Sequence, residues 1–333
     1  MLADADRVMR YSLAAAGHIS GEPSAVKSTS LRLFINFYHG FICLLLSVNV
    51  VVTLSVAWDG QQDAIIYNLF FKLALLFYFM DIAFVNIVLF FNCVQSKKLL
   101  SYYKQLEIVH ETLKALEITV RVGRIRKAVI FATICGWILS ICFGVYQIYD
   151  YATLAMLDSI YGESLSSRMN STTAVLGLQI FGRTCVMICG ILWKLTAVLF
   201  FTVSFTIVTL FSDFNDKFEK DVAAAPEEAM NSINRYRKAH LKLCDLVEKA
   251  NSTFSIILGC KIAKTLVVLL LVLYLLTVTS FDEENYQMFF TFIIWLGGEG
   301  GTLLLFIGMS ELVSRQVSRA CIKSGKLSFD QVR

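Results

Sequence analysis

The sequence predicts an all-α fold, a polytopic membrane bundle of six spanning helices with a cytoplasmic N-terminus, and three observations lead there. Hydrophobic residues make up 56% of the 333 and charged residues only 17%, more apolar surface than one soluble domain can hide. Six apolar runs each reach the roughly 20 residues needed to cross a hydrocarbon layer about 30 Å thick. The only two prolines, Pro23 and Pro226, lie outside those runs, so nothing obliges a kink within the membrane.

In chain order the expected spans are 31–58, 66–94, 128–150, 174–211, 254–279 and 286–309. A cytoplasmic segment, 1–30, precedes the membrane domain, 31–311, and a cytoplasmic tail, 312–333, follows it as the start of an anchor. The first run is about twice the length of a signal-peptide core, so it reads as a signal anchor. The fourth would form a helix of about 57 Å at 1.5 Å per residue. Splitting it would reverse the sidedness of the lysine-rich loop that follows, so one long helix is expected.

Orientation comes from the positions of Lys and Arg, which cytoplasmic loops retain. Arg7, Arg10, Lys27 and Arg32 precede the first span, and Lys97, Lys98, Lys104, Lys114, Arg121, Arg124, Arg126 and Lys127 fill the second loop. The loop after the fourth span and the tail are also basic. The three alternate loops together hold one cation, Arg168, beside acids such as Asp59, Asp158, Glu163 and Asp282, so they face outward. The net charge of +4 is thus a topology signal rather than a nucleic-acid signature. Asn170, in an Asn-Ser-Thr sequon of the third loop, is a glycosylation candidate, whereas the sequon at Asn251 falls on the cytoplasmic side.

The cytoplasmic loops, 95–127 and 212–253, read as helical. No Gly or Pro interrupts 97–122, and Leu99, Tyr103, Leu106, His110 and Leu113 form one stripe. Pro226 suits a first helical position, and Tyr236, His240, Leu243, Val247, Ala250 and Phe254 carry a stripe straight into the fifth span. The second and fifth membrane helices are therefore expected to project from the membrane and pack together, with His110 and His240 as packing residues.

No catalytic or metal constellation emerges. The four histidines are scattered, and Cys185 and Cys189, though one turn apart, have no His or acid at ligand spacing. No Ser-His-Asp order, phosphate-cradling glycine loop or HExxH is present, so neither an enzyme, a metal nor a cofactor is expected.

Ionisable groups within spans are costly and mark pathways, ligand sites or ion pairs. Asp81, Arg183, Lys194 and Glu299 lie nearest mid-membrane, and the preferred pair is Arg183 with Asp81 or Glu299. Lys72, Lys261 and Lys264 are expected to snorkel from span ends. Glu299 sits in Gly297-Gly298-Glu299-Gly300-Gly301, read first as a tight helix crossing and second as a gating hinge. Tyr78, Trp137, Tyr146 and Trp295, with Gln147, fall in the outer halves of spans as interface-belt or pocket-lining residues. Tyr78, Asp81, Trp137, Tyr146, Gln147, Arg183, Trp295 and Glu299 are the ligand-binding candidates.

Three stretches carry a family resemblance: Thr209-Leu210-Phe211-Ser212-Asp213-Phe214-Asn215, then Arg235 to Ser255, and Glu311 to Arg319. Together with helix order, loop lengths and sidedness, they resemble the insect gustatory receptor family, seven-helix chemoreceptors related to insect odorant receptors. The resemblance implies a plasma-membrane taste receptor for small-molecule tastants, assembled with itself or other receptors of the family as a tetrameric, ligand-gated cation channel. It further implies an outward pocket among the first six helices and a pore lined by the seventh. The family's Thr-Tyr and Gln-Phe signature of that seventh helix is not found up to Arg333, so six of the seven helices are expected within this sequence, and these alone should not conduct. The alternative is a non-conducting six-helix accessory or transport protein. A G-protein-coupled receptor fits poorly, because it requires seven spans and an external N-terminus.

Overall fold

A computed structural model describes residues 29–58, 66–94, 96–149, 172–224, 226–278 and 286–329. These residues form seven helices: α1 (Thr29–Trp58), α2 (Ile66–Val94), α3 (Lys98–Ala115), α4 (Val122–Tyr149), α5 (Thr172–Ala224), α6 (Pro226–Val278) and α7 (Tyr286–Phe329). All but α3 contain a segment long and apolar enough to cross a membrane. The described residues are all-helical, as the apolar runs require.

α5 and α6 have 53 residues each, about 80 Å at 1.5 Å per residue, so both extend far past a hydrocarbon layer. The fourth run is therefore one long helix, as expected. α6 opens on Pro226, and its stripe buries Tyr236, Leu243, Ala250 and Phe254 on the way into the apolar segment.

One element differs from expectation. The second span does not project as a continuous helix; α2 stops at Val94, and Lys97 adopts a left-handed backbone with φ of 48°. That turn detaches α3 as a separate helix, because a left-handed residue cannot continue a right-handed one. The stripe still works as a packing face: Leu99, Tyr103, Leu106 and Leu113 are buried, together with Tyr102 and Val109. α3 and the end of α2 are pinned to α6 by hydrogen bonds from Asn92 Nδ2 to Thr253 O (2.9 Å), Lys98 Nζ to Ser252 O (3.2 Å) and Gln105 Nε2 to Lys242 O (3.1 Å).

Two apolar cores result. The first joins the end of α2, α3, the start of α4 and the distal parts of α5 and α6, with Tyr102, Phe211 and Leu243 fully enclosed. Here His240 lies against Phe211 and Phe214, with ring centroids 6.1 and 6.0 Å away. Burial holds His110 below the usual imidazole range, which suits a neutral packing residue. The second core joins α1, α2, the proximal part of α5, α6 and α7 around Phe79, Phe292 and Trp295. On the outside of α1 and α4, large apolar side chains such as Leu33, Phe37 and Phe131 are exposed, the pattern of helices solvated by lipid.

Candidate functional site

α2, α6 and α7 converge within the second core on a cluster of charges. Lys261 and Lys264 stand three residues apart on α6 and so share one helix face. Lys261 Nζ donates to Asp81 Oδ2 of α2 at 2.5 Å. Lys264 Nζ donates to Glu299 Oε1 of α7 and lies 3.9 Å from Asp81 Oδ2, so it bridges the two pairs. Thr265 Oγ1 donates to Glu299 Oε2 at 3.0 Å. All four charged side chains are at most 6% exposed.

Burial of this kind is tolerated only because every charge is compensated; a single uncompensated ion would cost several kcal/mol even after relaxation. The Tyr78 ring adds to the compensation, with its centroid 5.5 Å from Lys264 Nζ, and it stacks on Trp295 at 6.3 Å. The network thereby fixes the relative height of three helices.

This arrangement corrects two expectations. Asp81 and Glu299 are held by Lys261 and Lys264 rather than by Arg183, which is exposed on α5. The two lysines do not snorkel, because carboxylates on neighbouring helices lie within reach at their own depth. Lys261, Lys264 and Thr265 are thus the residues that the sequence reading missed.

The remaining candidates divide. Tyr78, Asp81, Trp295 and Glu299 come together in the second core. Tyr146 joins α4 to α7 beside them, its hydroxyl 3.1 Å from Thr291 Oγ1. Trp137 does not join them, since it packs against the first core from the middle of α4. Gln147 lies near the end of α4, with its side chain outside the described set, and Asn170 lies outside the described residues.

The glycine-rich segment also departs from expectation. α7 runs helically through Gly297–Gly301, and a Cβ at Gly297, Gly300 or Gly301 would meet no atom within 4 Å. These positions therefore mark an opening rather than a tight crossing. A close approach is found instead at Gly136, where a Cβ would fall 2.3 Å from Val198 Cγ2, so the missing side chain lets α4 lie against α5.

The opening is a groove of about 390 Å³ between α4, α5 and α7, within the range of small-molecule sites. Gly297, Gly298 and Gly301 form one wall, and Phe131, Leu139 and Phe201 help to form the others. Lys194 places a basic side chain on this otherwise mostly apolar lining. One face of α7 thus carries the groove while Glu299, within the same glycine segment, enters the ion network. Among the described residues no group of His, Cys, Asp and Glu can hold a metal ion.

Residues 17–332 match the sequence profile of the 7tm chemosensory receptors. The chain belongs to that family. Among solved structures, the chain is similar to the insect olfactory receptor OR5 from Machilis hrabei, with a TM-score of 0.72 and 14% identity over 95% of this chain and 83% of that one. At that identity the likeness is one of fold. No curated protein sequence matches the chain. It is accordingly a multi-pass chemoreceptor, and its family is one of receptors rather than enzymes.

Proposed function

We propose that the chain is a gustatory receptor of the plasma membrane, with its N-terminus in the cytoplasm, that detects small-molecule tastants. In complete form, with the seventh, pore-lining helix that the family resemblance implies, it opens a cation conductance within a tetramer of itself or of related receptors. The observation that carries this reading is the family match over residues 17–332. Taste rather than smell is supported by the stretches 209–215, 235–255 and 311–319, and sidedness by the segregation of Lys and Arg.

The groove between α4, α5 and α7 is the proposed ligand site. A tastant there packs its apolar part against Phe131, Leu139 and the glycine face of α7 and offers a hydrogen-bond acceptor to Lys194. Tyr78, Tyr146 and Trp295 form the adjoining aromatic region. A ligand that displaces α7 must move Glu299 relative to Lys264, and so biases α6 and α2 through the ion network. Binding and conformational change are then coupled by a differential contact, as any ligand-driven transition requires.

The test is current recording from the full-length receptor expressed in oocytes and challenged with a tastant panel. Gly301→Leu fills the groove from a position where a side chain meets open space, so surface expression is expected to persist while the evoked current is lost. An unchanged dose-response curve would remove the groove from the mechanism. A wild-type receptor that reaches the surface yet never conducts would favour an accessory or transport role.

A further inference from the structure

The start of α4 holds a second concave site, distinct from the ligand groove. Ile125 and Val129 turn inward and are buried, while Gly123, Arg124, Lys127, Ala128 and Phe131 face the other way. With Phe205 of α5 they line an open groove of about 670 Å³. The Arg124 guanidinium lies 6.0 Å from the Phe205 ring centroid. Within the described residues, neither Arg124 nor Lys127 meets a carboxylate, whereas Arg121, one turn earlier, is taken by Asp213 and Asp216. Two uncompensated cations therefore share one cleft.

Directly above that cleft the outer face of α4 turns apolar. Phe131, Ile134, Ile138 and Ile141 are all exposed and follow one another at helical spacing, so the ridge leads from the cations along the membrane-spanning part of the helix. A ligand complementary to both parts must carry negative charge at one end and hydrocarbon at the other. A basic patch immediately beside a span is also where the surface potential of anionic lipid acts most strongly.

We propose that this groove binds an anionic phospholipid of the adjoining leaflet, with its phosphate between Arg124 and Lys127 and an acyl chain along Phe131 and Ile134. Phe131 also lines the groove between α4, α5 and α7, so the bound lipid abuts one wall of the proposed ligand site. The assignment rests on the charge and shape of α4 and does not require that the receptor respond to tastants.

Native mass spectrometry of the full chain in a neutral detergent, titrated with phosphatidylserine or phosphatidylcholine, tests it. The wild type is expected to retain phosphatidylserine preferentially. Arg124→Gln with Lys127→Gln is expected to weaken that retention by about thirtyfold, and either change alone by about fivefold. Arg126→Gln, at an exposed residue outside the groove, should leave it unchanged. Soluble glycerophosphoserine should not displace the lipid, because it lacks the chains that Phe131 and Ile134 contact. Equal retention by the double variant, an equal loss in Arg126→Gln, or displacement by the soluble headgroup would each overturn the proposal. Both substituted side chains are exposed, and an unchanged elution volume on gel filtration verifies that each variant is folded.

Discussion

Two charged networks hold this bundle, and they use similar side chains in opposite surroundings. In the second core, Asp81, Lys261, Lys264 and Glu299 are almost wholly enclosed. Beside the turn between α3 and α4, Arg121 donates through Nε to Asp213 Oδ1 and through its backbone N–H to Oδ2 at 2.8 Å. Its Nη2 reaches Ser212 Oγ at 3.1 Å and Asp216 Oδ2 at 3.5 Å. Arg319 of α7 extends this network to Glu219 at 2.8 Å, and Asn215 Nδ2 donates to Gln316 O at 3.1 Å. Only Asp213 is deeply buried here; the other charged partners are about a third to two fifths exposed.

The difference teaches how one chain can be fixed in one place and adjustable in another. Charges out of reach of water must stay matched, so the enclosed network behaves as a single unit. Water and salt soften the second, so its members can be exchanged at little cost. Height is set in the core, and the contact of α7 with the extension of α5 rests on the weaker, more exposed pairs.

The sharpest way to break this comparison is to remove one enclosed partner. Lys261→Ala leaves Asp81 only the longer, 3.9 Å contact with Lys264, which Glu299 already engages, and should lower stability by up to about 3–5 kcal/mol, read as thermal unfolding of the detergent-purified protein. Replacing both partners, Asp81→Leu with Lys261→Leu, should recover most of that loss, because no charge is then left uncompensated. If the single and double variants unfold together, the pair is not a unit. A smaller effect is expected from Asp213→Asn, which keeps the shape but removes the charge that Arg121 contacts twice; about 1.5–3 kcal/mol fits a hydrogen bond to a charged group. The same unfolding measurement checks it.

Most of the helix order was legible in the sequence because hydropathy acts over whole segments. The uninterrupted fourth run and the stripe after Pro226 gave the two longest helices. The break at Lys97 was not legible, since neither Gly nor Pro marks it and a lysine in the left-handed region leaves no compositional trace. The ion network was half legible. Asp81 and Glu299 stand out as charges in apolar runs, but Lys261 and Lys264 lie near a span end, where sequence position alone does not separate snorkelling from pairing. A usable signal existed: two lysines three residues apart, with carboxylates near mid-span on two other helices. What periodicity cannot supply is which helices are neighbours, and the pairing depends on α6 lying between α2 and α7. The glycine segment failed for the same reason, because small residues permit either a close crossing or an opening, and only the partner helix decides.

The smallest expected effect tests the soft side of the comparison. Arg319→Ala removes contacts to Glu219 and Asp216 from a side chain that is 40% exposed, so a loss of only about 0.2–1 kcal/mol is expected at low salt. Near 1 M salt the Debye length falls to about 3 Å, and wild type and variant should then unfold alike. Lys261→Ala, by contrast, should keep its full deficit at both salt concentrations, because mobile ions do not enter the core. A salt-insensitive Arg319→Ala deficit would mean that the α5–α7 contact is as rigid as the buried network, and the division of labour between the two would fail.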